Sequence, residues 1–237
     1  MQSPILFFRT TAIALVSGIF LLASCQKEQA AGPEQQTLTQ SGTAQAVDQM
    51  PNIDADMAFD SAAMHIMMNM MQQMNSMHMT CDPDIDFAHM MIMHHEAGIQ
   101  MADAEIMYGH DAEAKAIAHE TREGNMESKH RLQAYLATNP THHPLSEMEC
   151  MMFMKQLDKS MQVMMMGMNK ASNIKNVDVD FASQMMAHHA GALGMSEVEL
   201  KWGRDHATLS EASMIIKEQA KEIVELGRFV KQHVGSK

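Results

Sequence analysis

DIDFAHMMIMHHEAGIQM (residues 84–101) and DVDFASQMMAHHAGALGM (residues 178–195) carry one pattern twice, ninety-four residues apart and without a gap. Asp84, Asp86, Phe87, Ala88, Met91, His94, His95, Met101, Glu105, Gly109 and Asp111 recur as Asp178, Asp180, Phe181, Ala182, Met185, His188, His189, Met195, Glu199, Gly203 and Asp205. The register runs upstream as well, where Met67, Met70, Met71 and Met74 recur as Met161, Met164, Met165 and Met168. A repeat of this length means that one supersecondary unit is built twice and that each copy buries its apolar face against the other. The units are residues 56–138 and 150–233, joined by a polar, proline-bearing linker at 139–149, and together they form one domain.

Inside a unit the pattern reads helix, helix, helix. Met67, Met70, Met71 and Met74 follow i, i+3, i+4, i+7 spacing. Asp84 and Asp86 suit an N-terminal cap and first turn, with 87–108 helical and Gly109 as the stop. Positions 112–137 form a third amphipathic run. No alternating apolar segment and no Asn-Gly hairpin signal is present, so no sheet is expected. The expectation is an all-α, antiparallel helical bundle whose two units are related by a pseudo-twofold axis.

The N-terminus reads differently. Arg9 precedes the apolar run TAIALVSGIFLLAS, too short to span a bilayer comfortably and laid out as a secretory signal over residues 1–24. Leu22-Ala23-Ser24-Cys25 resembles the lipobox of bacterial lipoproteins, which makes Cys25 the expected lipidation site and the cell envelope the expected location. Residues 25–55 hold few large apolar side chains and read as a disordered tether. Seventeen basic against twenty-nine acidic residues leave a net charge of −12, which argues against nucleic acid and favours cations. Membrane contact is expected through the lipid anchor alone. In an oxidising envelope Cys81 and Cys150 are read either as a disulfide or as two free thiols.

Thirty methionines are the loudest feature of the composition. Methionine is ordinarily a flexible core filler. Here, however, no leucine occurs between Thr39 and Arg131, although Leu packs a helical core as well. Met64, Met67, Met68, Met70, Met71, Met74, Met77 and Met79 would also spread over roughly 200° of one helix, where a core stripe needs little more than about 100°. Some of these thioethers should therefore reach a groove or solvent. Thioether sulfur is a soft, neutral ligand that suits Cu(I) and, by the same softness, Ag(I), and imidazole extends the range to Cu(II). The candidate ligands are His94, His95, His188 and His189; Met90, Met91, Met101, Met185, Met186 and Met195 beside them; and Met67, Met70, Met71, Met74, Met161, Met164, Met165 and Met168 on the outer helix of each unit. His94 shares a face with Met90, Met91, Gly98, Met101 and Glu105, and the small Gly98 leaves room for a metal or a close helix neighbour. His95 points about 100° away. Sites that depend on imidazole are expected to weaken as pH falls through ~6, and thioether sites are not.

The doubled DxDFxxxMxxHHxxxxxM motif, followed each time by an apolar helix, resembles domain-of-unknown-function family 305. That resemblance implies a ferritin-like helical bundle and, from its CopM-type members, a periplasmic copper-binding role with the histidine pairs and surrounding methionines as ligands. The expected function is copper buffering, sequestration or tolerance, with transfer to a partner protein open and with no catalysis. Two other uses fit the composition: a methionine-rich interaction surface or oxidant sink, and a ferritin-like metal oxidase. The last requires Glu-x-x-His on two helices, and only Glu127-Ser-Lys-His130 supplies it.

Overall fold

A computed structural model describes residues 53–171 and 173–234; the signal, Cys25 and nearly all of the tether lie outside the described residues. Among them there are six helices and no strand: α1 (Ile53–Ser76), α2 (Pro83–Tyr108), α3 (Ala112–Ala137), α4 (Glu147–Met168), α5 (Val177–Trp202) and α6 (His206–Val234). α4, α5 and α6 each begin ninety-four residues after α1, α2 and α3, so the sequence register is also the register of helix starts.

The two helices that carry the repeated motif, α2 and α5, pack against each other at the centre. α3 and α6 cover them on one side and touch each other; α1 lies on α2 and α4 on α5 on the other. α1 and α4 are not packed together as the other neighbours are, which leaves a trough between them. Phe87, Phe181, Phe153, Phe229, Met91 and Met185 fill the core. No described helix is long and apolar enough to cross a membrane.

Helix ends follow local chemistry. Pro83 stands in the first turn of α2, where its missing N–H costs nothing. Asp111 accepts from the backbone N–H of Glu113 and Ala114, and Ser146 with Glu149 forms a capping box for α4. α1 stops at Ser76, so Met77 and Met79 leave the helix on which they were expected. The reason lies in the next turn: Asp86 accepts the N–H and hydroxyl of Thr80, pulling the chain into a loop. Asp180 does the same to the N–H of Ile174. Cys81 and Lys175, one residue on in each loop, both take φ 61, the left-handed region. A recurring loop therefore sets that conformation, with or without a cysteine in it.

Cys81 and Cys150 form a disulfide with Cα atoms 5.3 Å apart, tying the α1–α2 loop to the first turn of α4. Of the two states left open by the sequence, this is the bridged one. The bond closes a loop between residues 69 apart in sequence, and cross-linking a chain over that length restricts its unfolded state by about 4 kcal/mol. Cys81→Ser/Cys150→Ser should therefore lower urea stability by about that much while leaving the helical spectrum at 25 °C intact. A change under about 1 kcal/mol would show that the bridge constrains little.

Candidate metal centre

The four histidines come together as a single buried row. His94 and His188, on α2 and α5, face each other with ring centroids 3.7 Å apart and planes tilted by 31°. His95 and His189 flank them, their rings 6.3 and 6.2 Å from the neighbouring His94 and His188. All four side chains are fully enclosed. The outward pair is anchored: His95 Nε2 lies 2.7 Å from Ser128 Oγ, and His189 Nε2 lies 2.8 Å from Glu222. Ser128 in turn donates to Glu211, which Arg131 grips with two nitrogens. Each adjacent pair does serve two directions, as the helical angle requires. The room beside Gly98 is taken by a neighbour: a Cβ there would stand 2.8 Å from Asn125 Nδ2 and 3.1 Å from His188 Cε1.

Burial decides the protonation of this row. It pushes His94 and His188 well below the ordinary imidazole range, helped by the neighbouring imidazoles, and holds His95 down at about 3. These three rings stay neutral in the folded protein far below pH 6. The expected weakening near that pH therefore does not apply to them while the fold holds. Both nitrogens of His94 and of His188 lack a hydrogen-bond partner, an uncommon state for buried polar atoms. Among the described residues, no three His, Cys, Asp or Glu side chains converge so as to hold a metal ion.

Two carboxyl pairs close the ends of α2 and α5. Asp84 does not cap its own helix, as the sequence suggested. It reaches across to accept from the backbone N–H of Arg204 and Asp205 and from the Thr208 hydroxyl, at the start of the other unit's third helix. Asp178 accepts from His110 and Asp111 in the mirror position. Against each lies a buried glutamate, Glu199 against Asp84 and Glu105 against Asp178. Burial, then the adjacent carboxylate in the case of Glu105, raises both glutamates to about 9. Thr208 partly opposes the rise at Glu199. Protonated, each Glu can donate to the Asp beside it, which satisfies a group that otherwise meets no donor. Gly109 and Gly203 make the close approach possible, since a Cβ at either would run into the glutamate four residues earlier.

Sulfur gathers elsewhere. One pocket of about 390 Å³ between α1 and α4 is bordered by Met71, Met74, Met77, Met79, Met90, Met154, Met161 and Met165. A second, of about 850 Å³, adjoins it through Met71, Asn75 and Met165 and adds Met64, Met67, Met68 and Met168. The candidate set thus divides. Met67, Met71, Met74, Met90, Met161, Met165 and Met168 line this trough; Met91, Met101, Met164, Met185 and Met195 are sealed in the core with Met70, and Met186 is half-buried beside Gly227. Met77, Met79 and Met154 join the trough although periodicity did not single them out as ligands, because a loop and a second helix bring them there.

Sequence reading also missed the polar residues that surround the outward histidines. Ser128, Glu222, Asn125 and Gln219 follow the same ninety-four-residue register, and Gln219 donates to Asn125 across the interface. Carrying the repeat through α3 and α6 position by position would have exposed them.

The family profile described as "Domain of unknown function (DUF305)" matches residues 84–230. Among solved structures, the chain is similar to the crystal structure of a DUF305 fragment from Deinococcus radiodurans, at 17% identity over 63% of this chain and 96% of that one, with a TM-score of 0.47. No curated protein matches.

Proposed function

Because the chain belongs to the DUF305 family, whose description assigns no activity, its role has to come from its own side chains, and we propose that it binds Cu(I), and with it Ag(I), on the thioether trough between α1 and α4. The observation that carries this reading is the convergence of eight methionines on one pocket, drawn from two helices, a loop and the edge of α2; Met71, Met77, Met79, Met154 and Met165 reach solvent, and Met74, Met90 and Met161 are buried behind them. Apolar packing alone would be served as well by leucine, which has no ligand to offer. Thioethers carry no proton, so a trough built from them holds a soft cation across a wide pH range. With a lipid anchor at Cys25, the protein would act in the cell envelope as a copper buffer or store, and no catalytic step enters the proposal.

A second holding place is favoured by the unpartnered ring nitrogens of His94 and His188, which suit copper better than they suit an apolar core. Glu105 and Glu199, held protonated and away from these rings, do not supply the carboxylates that an oxidase centre needs.

The trough is tested by Met71→Leu/Met74→Leu/Met161→Leu/Met165→Leu. Leucine keeps volume and apolar area, so helicity should persist with a stability change below about 1.5 kcal/mol per site. Titrated against a Cu(I) chelator at pH 7 and pH 5, the wild type should hold Cu(I) at both values and the variant should lose most of its capacity. Equal capacity in the folded variant would overturn the reading and leave the trough as an apolar docking face, a use that leucine preserves.

A further inference from the structure

We propose that Met64, His65 and Met68 form a separate, solvent-accessible soft-metal site on the rim of the trough, where Cu(I) or Ag(I) is first captured. The choice of metal rests on the trough reading; the site itself rests on three observations of its own.

The first is exposure without a packing reason. Met64 and Met68 are each 63% exposed, one helical turn apart on α1, with His65 beside them and also exposed. A side chain so placed gains little from burial. The second is the other copy. In the ninety-four-residue register their counterparts on α4 are Asp158, Lys159 and Gln162, so this surface of the helix takes polar residues when nothing else is asked of it. The trough positions 67, 71 and 74, by contrast, carry methionine in both copies: Met161, Met165 and Met168 answer Met67, Met71 and Met74.

The third observation concerns the imidazole. His65 Nδ1 lies 2.7 Å from the carbonyl oxygen of Ser61. A carbonyl only accepts, so Nδ1 donates to it, and Nε2 is the nitrogen left for a metal. Metal-binding histidines are oriented in this way, with one nitrogen donating to a backbone carbonyl and the other left to the metal. Two thioethers and one imidazole make a donor set suited to a monovalent soft ion. All three residues border the larger pocket together with Met67, Met71, Met165 and Met168, so an ion released from the rim enters a continuous sulfur-lined space.

The test follows Ag(I) titration of the folded protein by NMR of methionine methyl groups and histidine ring nitrogens. In the wild type, the first additions should shift His65 Nε2 together with the Met64 and Met68 methyls. In His65→Ala those two methyls should need about 10-fold more Ag(I), while Met74 and Met161 respond as before. His65→Met, which replaces one soft donor by another, should restore the early response, separating ligation from the lost contact with Ser61. The proposal falls if Nε2 stays unmoved while the trough methyls saturate, or if His65→Ala titrates like the wild type; the trough reading survives both results. If no methionine methyl responds anywhere, the rim site and the trough fall together.

Discussion

Between pH 6.5 and 9 the protein should lose stability steeply, and Glu105→Gln/Glu199→Gln should remove the loss. Both glutamates have folded-state values raised to about 9, against about 4.3 for an unfolded Glu. A group raised in this way contributes its full stabilisation below the unfolded value and loses it as pH climbs towards the folded one. Through neutral pH the folded chain therefore holds two protons that the unfolded chain has released. Each proton so held gives a slope of roughly 1 kcal/mol per pH unit, so the two together make stability fall by a few kcal/mol per unit, large beside a typical domain stability of about 5–15 kcal/mol. Glutamine cannot ionise, yet its amide can donate to Asp178 or Asp84 as the protonated acid does. The double variant should match the wild type only near pH 4, the unfolded value of about 4.3, and should exceed it by a growing margin up to pH 9. Urea unfolding from pH 5 to 9 measures this, and a wild-type midpoint that is flat over that range would show that the glutamates ionise without cost.

On the acid side, His94→Leu/His188→Leu should flatten the unfolding limb and should not destabilise the metal-free protein at pH 7. The two rings have four ring nitrogens without partners. Replacing such buried groups by an apolar side chain of similar size is near neutral or stabilising, because no hydrogen bond is given up. The sign of the pH effect is opposite to that of the glutamates. Burial lowers the folded values of His94, His95 and His188, so their stabilisation is complete above the unfolded value of about 6.5 and is lost as pH falls below it. Each contributes about 1.4 kcal/mol per pH unit there. Down to about pH 4.5 the raised carboxyls, including Asp180 at about 6, oppose this slope, and below that the histidines dominate. The variant should thus retain helicity at pH values where the wild type has unfolded. It should also lose Cu(II) binding while keeping Cu(I) on the trough. Unaltered Cu(II) binding by the folded variant would remove the histidine row from the copper chemistry, and a loss of several kcal/mol at pH 7 would mean that the stacked rings stabilise the core.

Much of this architecture was legible in the chain. The ninety-four-residue register recurs in the helix starts, and α3 spans Ala112–Ala137, as its amphipathic run indicated. The spread of methionines around α1 foretold that some would leave the core, and Met64 and Met68 do. Boundaries were less legible where a side chain acts at a distance. Asp86 ends α1 early by binding Thr80, and Asp84 serves the loop after α5 instead of its own helix. Periodicity describes the faces of a helix and carries no information about a partner more than a hundred residues away.

The division between the two levels falls along the same line. Helical class, the register of helix starts, the supply of thioether and imidazole groups and the different directions of His94 and His95 follow from residue type and from the 3.6-residue turn, which operate within a few positions of each other. Which methionines border the trough and which are packing, whether the histidines titrate near neutrality, and whether two acids share a proton depend on burial and on atoms brought together from distant positions. Met71 and Met91 have identical chemistry, yet one borders an open trough and the other is sealed beneath it. Only the packing of α1 and α4 on opposite members of the central pair, with space left between them, makes that distinction. The physical reason is that ligand exchange and proton uptake require solvent access, a property of the assembled surface and not of any residue in it.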